Sequence, residues 1–231
     1  MNEQPFKNLY LKLQRKGFEP RHVAEVGVYA PEASNILDYI EAGVRTTLVE
    51  PDPESVRRIR ERFGDRPNVT LHAVAAYDFE GTIELSQRDA STFVSELESS
   101  PAIENDGYVV TEEDQFTVGC TTFDTIDDGS IDLLSVDTEG SEWFVIKHMT
   151  SRPDVISIET HGAAYINPNL AEIEAWMDRN QYVVLFKDNT DSVYVRRDRI
   201  QPDGRDRIRL AWKNLAIASR RLRKRLLKEF S

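Results

Sequence analysis

The chain predicts an α/β fold built on a mostly parallel sheet with helices on both faces. Three observations carry the prediction. Apolar runs of strand length alternate with stretches of helical period through most of the chain, the order that buries a parallel sheet between two helical layers. Several of those strands finish in a carboxylate or a glycine, as in Glu25-Val-Gly27, Glu50 and Val136-Asp137. The last two apolar runs are separated only by Lys187 and Asp188-Asn-Thr-Asp191, a turn short enough to make them an antiparallel addition to the sheet.

The elements follow in order. Residues 6–16 form a helix with Phe6, Leu9, Tyr10 and Leu13 on one face, stopped at Gly17. A strand over 23–28 leads into a helix over 32–41, with Ile36, Leu37 and Ile40 inward and Gly43 at its end. The strand 46–50 precedes a third helix, where Asp52 is placed to cap and Pro53 occupies the first turn without losing a needed N–H. The third strand spans 69–76, and a short added strand spans 82–85 after Gly81. Residues 86–114 are polar, carry Pro101 and Gly107, and are expected as a long irregular loop. β character returns over 115–123 and 131–136. A helix over 142–149, a strand over 155–159 and a helix over 169–179 precede the final strand pair at 182–186 and 192–195.

Composition limits the function. With 231 residues, 40% hydrophobic and 30% charged, the chain suits one domain and an appendage, expected at 1–196 (core about 20–196) and 197–231. The net charge of −11 is uneven. Residues 196–231 hold 13 Lys and Arg against 4 Asp and Glu, a surplus of 9 positive charges that leaves −20 on the rest. A body this acidic repels nucleic acid. No apolar run is long enough to span a bilayer. Met1-Asn-Glu-Gln-Pro-Phe lacks the order of a signal peptide. Cys120 is alone, so a reducing, cytoplasmic location is expected.

Ile131-Asp-Leu-Leu-Ser-Val-Asp-Thr-Glu-Gly-Ser-Glu-Trp143 is the most informative stretch. A buried strand that runs into Asp137 and Glu139 carries a cost that only a partner offsets, and ligands of open α/β sheets bind at that strand edge. Gly27 lets backbone approach closely. Glu50, at the end of the next strand, is placed to accept both hydroxyls of a ribose; as a strand-end side chain it is given little packing role. The three-glycine dinucleotide fingerprint is absent, since Val28-Tyr29-Ala30-Pro31 lacks the other glycines. This and the lack of a Tyr-x-x-x-Lys pair disfavour a nicotinamide-dependent reductase.

Four segments resemble the FkbM family of S-adenosylmethionine-dependent methyltransferases: Glu25-Val-Gly-Val-Tyr-Ala30, Leu48-Val-Glu-Pro-Asp-Pro53, Ala73-Val-Ala-Ala-Tyr-Asp-Phe-Glu-Gly81 and Ile131 through Glu142. The resemblance implies a Rossmann-like class I methyltransferase with a seven-stranded sheet and an antiparallel last strand. It also implies O-methylation of sugar or polyketide hydroxyls. The first motif departs from the family form, with Glu25 for Asp, Val28 for Ala, Tyr29 for Asn and Pro31 for the last Gly. By this resemblance S-adenosylmethionine is expected against Glu25, Gly27, Tyr29, Glu50, Pro51, Ala75, Ala76 and Asp137. Glu25 would orient its amino group, and Asp137 would lie under the sulfonium.

A sugar hydroxyl needs help to attack. Asp137 and Glu139 are two apart, as are Glu159 and His161, and i and i+2 share a side in extended backbone. His161 is the expected general base, with Asp137 and Glu139 as further catalytic groups and Glu139 or Glu159 orienting the imidazole. Magnesium held by Asp137, Glu139, Glu159 and His161 is the alternative. Trp143, Glu159 and Tyr165 are expected to meet the acceptor, a sugar, glycan or glycosylated metabolite selected by residues 86–114; core packing competes as the role of Trp143. A non-catalytic binding protein that recruits partners through its tail is the rival reading. From Arg205 the tail reads as one helix, with Ile208, Trp212, Leu215, Leu222 and Leu226 on one face and Ser219 interrupting. It can lie on the inner membrane face, pair with a second copy or dock on its own domain.

Overall fold

The computed structural model describes residues 7–88, 91–94, 115–162 and 165–229. Its main sheet has seven strands: β1 (His22–Val26), β2 (Arg45–Val49), β3 (Val69–His72), β8 (Leu133–Val136), β9 (Val155–Glu159), β10 (Tyr182–Lys187) and β11 (Asp191–Arg196). They lie in the order β10-β11-β9-β8-β1-β2-β3. β1, β2, β3, β8 and β9 pair in parallel, whereas β11 inserts antiparallel between β9 and β10. The order reverses beside β1, so the carboxyl ends of β1 and β8 open a crevice between them.

Alternation along the strands explains the helices on both faces. Val23 and Leu133 face one core with Leu9 and Leu13 of α1 (Asn8–Gln14), Leu37 and Ile40 of α2 (Leu37–Glu41), and Ile59 and Phe63 of α3 (Pro53–Phe63). Ala24 and Leu134 face the other, with Val145 and Ile146 of α4 (Glu142–Lys147) and Ile173, Trp176 and Met177 of α5 (Leu170–Arg179). Asp52 caps α3 as expected, accepting from Ser55 N–H at 2.6 Å. The long final helix α6 (Gly204–Glu229) lies against β10.

Three expectations change. The helix expected over 32–41 begins only at Leu37, because Ser34 Oγ and Asn35 N–H are turned onto the Glu25 carboxylate, at 2.5 and 2.8 Å. The strand expected over 69–76 breaks after His72. Ala75–Ala76 form β4 and join a second sheet with β5 (Gly81–Arg88), β6 (Ser91–Val94) and β7 (Gln115–Thr121), in the order β4-β7-β5-β6. The irregular loop expected from residue 86 therefore opens as a strand hairpin, with Ser86 paired to Gln115 and fully buried. Residues 95–114, the core of the expected acceptor-selecting segment, lie outside the described residues.

Candidate active site

A cavity of about 260 Å³ opens at the carboxyl edge of the main sheet, under the second sheet. Glu25, Gly27, Tyr29, Glu50, Pro51, Ala75, Ala76, Asp137 and Glu139 all line it. Nine of the expected site residues, drawn from four separate stretches of chain, thus converge on one space. Trp143, Glu159, His161 and Tyr165 do not line it.

The first turn is held by Glu50. One oxygen, Oε2, accepts from Val28 N–H at 2.8 Å and Tyr29 N–H at 2.9 Å, and Oε1 accepts from Asp52 N–H at 2.9 Å. These bonds fix Tyr29 at φ +50°, a conformation uncommon for a tyrosine. The carboxylate, with roughly four acceptor positions in all, keeps about one for a ligand. Burial raises the Glu50 pKa against those three backbone donors. Glu50 is therefore a brace as well as a candidate ligand group, a role the sequence reading did not give it.

Gly27 is required by the chain itself. At φ +80° its missing Cβ would lie 1.7 Å from the Asp137 carbonyl oxygen, so the close approach expected of a ligand is made by the next strand. Glu25, below it, is pushed up to about 7 by burial, with the Ser34 and Asn35 bonds pulling the other way. Asp137 lies deep in the molecule yet is partly accessible, since the surface it shows is cavity wall. Burial, then the charges of Asp191, Glu139, Glu142 and Glu25, raise its pKa well above the carboxylate range.

Glu142 braces the Asp137–Gly140 turn. Its Oε1 accepts from Thr138 and Gly140 N–H at 2.9 and 3.0 Å, and Oε2 accepts from Asn167 Nδ2. Glu159 is buried beside it, and its Oε2 has no hydrogen-bond partner among the described residues. Burial and the neighbouring Asp137 and Glu142 raise its pKa strongly, so it is held as the neutral acid. Oxygens of Asp137, Glu142 and Glu159 lie within 4.8 Å of one another. That grouping omits two of the four expected magnesium ligands, Glu139 and His161, and includes Glu142, whose oxygens already accept from the turn and from Asn167. The magnesium expectation gains no support.

His161 is turned away from the cavity. β9 ends at Glu159, so the same-side rule for i and i+2 stops applying one residue later. The imidazole is 2% exposed; Nδ1 lies 2.9 Å from Thr160 Oγ1, and Nε2 donates to the Asp188 carbonyl at 3.3 Å. It faces Asn214 and Ile217 of α6 across a separate hollow. Trp143 is partly buried against the α4–α5 core, and Tyr165 is fully buried.

The sequence reading missed Asp188, Thr190 and Asp191, which close the cavity from the β10–β11 turn, and Ile83, Leu85 and Val94, which form its apolar wall. Asp191 is raised to about 6 by burial and by Asp188. A usable signal existed for it. An antiparallel strand brings its first residue, not its last, to the carboxyl edge of its neighbours, and Asp191 is the first residue of β11.

A family model described as the methyltransferase FkbM domain matches residues 24–184. The chain belongs to the FkbM methyltransferase family. Among solved structures, an FkbM methyltransferase from Methylobacillus flagellatus is 17% identical, with a TM-score of 0.51 over 84% of this chain and 48% of that one. The chain thus spans about half the length of that relative, and at this identity the likeness speaks for the fold alone. A putative RNA methyltransferase from Pyrococcus horikoshii (12% identity, 81% and 80% coverage, TM-score 0.44) and the fibrillarin of Aeropyrum pernix with natively bound S-adenosyl-L-methionine (13%, 80% and 73%, 0.43) are more distant, and no argument rests on them. No curated protein matches. The sheet order and its one antiparallel strand are those expected of a Rossmann-like class I FkbM methyltransferase.

Proposed function

We propose that this FkbM-family chain is an S-adenosylmethionine-dependent O-methyltransferase acting on a hydroxyl of a sugar, glycan or glycosylated metabolite. The observation that carries the reading is the convergence of Glu25, Gly27, Tyr29, Glu50, Pro51, Ala75, Ala76 and Asp137 on one acidic cavity. The donor set fits the cofactor. Asp137 and Asp191 suit a sulfonium and an ammonium group, Glu50 suits a ribose hydroxyl, and Ala75 and Ala76 with Ile83 and Leu85 offer an apolar wall to a flat base. The bound cofactor would supply an activated methyl group.

The chain's own residues do the rest. The apolar wall excludes water, and the carboxylates hold the cationic end. Methyl transfer then depends mostly on alignment. For the acceptor proton we favour Asp137 or Glu139 over His161, since both carboxylates line the cavity and His161 does not. Calorimetry with S-adenosylmethionine, followed by a mass-spectrometric screen of hydroxylated sugars, tests the proposal. Micromolar cofactor binding and a product heavier by one methylene are expected. No cofactor binding would leave the rival reading, a binding protein on a methyltransferase fold.

A further inference from the structure

The final helix α6 is apolar on two opposite sides. One side packs on the protein. Ile217 is 7% exposed, Leu210 borders a hollow with Leu185 and Phe186 of β10, and Lys213 Nζ donates to Asn189 Oδ1 at 3.3 Å. At 3.6 residues per turn, Ile208, Trp212 and Leu215 fall on the other side, and they are 61, 70 and 63% exposed. Docking on its own domain therefore leaves this stripe uncovered. In sequence the 4-3 spacing continues through Ser219 to Leu222 and Leu226.

Charge decides what can cover it. Residues 207–228 contain nine Lys and Arg and no Asp or Glu. The acids that open the helix region are engaged elsewhere: Asp203 and Asp206 pair with Lys16 at 2.9 and 2.5 Å. Arg205, Arg209 and Arg220 fall along one flank of the stripe by helical spacing, and Arg207 along the other. A second copy of the helix packed on this seam would set arginine against arginine at the flanking positions, where coiled coils place opposite charges. A bilayer surface rich in anionic headgroups accepts the same pattern. Trp, Ile and Leu enter the headgroup–acyl boundary, and the flanking arginines stay at phosphate level. No helix among the described residues is long and apolar enough to cross a membrane, which agrees with a helix lying in the surface plane.

We propose that the exposed face of α6 is a docking surface for an anionic lipid bilayer. The test uses the full chain and sedimentation with vesicles of phosphatidylglycerol or of phosphatidylcholine. Binding to the first and not the second, released by added salt, is expected. The triple variant Ile208→Ser, Trp212→Ser, Leu215→Ser should lose at least about tenfold in vesicle affinity, because each side chain forfeits apolar burial. It should keep its melting temperature, since all three are exposed in the folded chain. Absence of binding to phosphatidylglycerol, or a variant that binds as the parent does, would overturn the proposal. So would light scattering that shows a dimer dissolved by the same triple variant in a protein that ignores vesicles, which would make a second copy the occupant.

Discussion

At the scale of single residues, the strand-end glycine and carboxylates were legible, but their partners were not. Glu50 shows the difference. Its position marked it as a ribose group, yet its oxygens accept three backbone N–H groups, two of them, on Val28 and Tyr29, from residues that sequence spacing does not bring to it. Glu50→Ala should therefore do two things. It should strip a buried acceptor from three donors and lower the unfolding free energy by at least about 1–3 kcal/mol, read by denaturant melts. It should also weaken S-adenosylmethionine binding by about tenfold or more in calorimetry, for the lost charged hydrogen bond. Parental stability in this variant would remove the bracing role. His161 shows the converse failure. Its type and its distance from Glu159 marked it as a base, but the strand ends before it. Asp137→Asn is expected to lower turnover by about 10²–10⁴, while His161→Ala leaves turnover within a few-fold. The opposite ranking in steady-state assays would restore the histidine.

The elements were legible wherever a hydrophobic period was long, and least so where the chain changes sheets. β3 and β4 are separated by only two residues in sequence and belong to different sheets. The placing of β11 between β9 and β10 is a non-local pairing that brings Asp191 beside the ends of the other strands. The outcome is a set of six carboxyls at one sheet edge that shift the same way. Glu25 moves from 4.5 to about 7 and Asp191 from 3.8 to about 6, with Glu50, Asp137, Glu142 and Glu159 also raised, burial being the leading cause in each case. A raised folded pKa means that the folded chain holds more protons than the unfolded one. The stability these groups contribute is full below their unfolded values and is lost as pH climbs through the folded values. The unfolding free energy should accordingly fall between about pH 4 and pH 7, measured by denaturant melts across that window. A cationic ligand reverses the pull, since it favours the ionised carboxylates. S-adenosylmethionine should bind more tightly as pH rises through this window and should release protons. Calorimetry in two buffers of different ionisation enthalpy counts them, and proton uptake instead of release would remove the cation from the acidic cavity.

The whole molecule joins an acidic body to a basic helix, an asymmetry visible in the charge count alone. What the count left open was how the helix is held, because self-docking, pairing and membrane binding all use an apolar face. The structure gives α6 two faces, one against β10 and His161 and one outward, so docking on its own domain uses the first and leaves the second open. Deletion of residues 205–231 should then affect two properties and spare a third. It uncovers Leu185 and Phe186 and removes Ile217, whose burial alone is worth about 1.5–3 kcal/mol. At about 2–4 °C per kcal/mol for a chain of this size, the melting temperature should fall by roughly 3–12 °C. It also removes the outward stripe with its arginines, so association with anionic vesicles should vanish. Among the described residues the cavity wall takes none from α6, and S-adenosylmethionine affinity should stay within a few-fold of the parent in calorimetry. A truncated chain that melts below the parent by this margin yet binds cofactor normally would show that the helix is a part of the fold and not of the site. Loss of cofactor binding at a temperature where the truncated chain is still folded would mean that α6 holds the β10–β11 turn, and with it Asp191, in place.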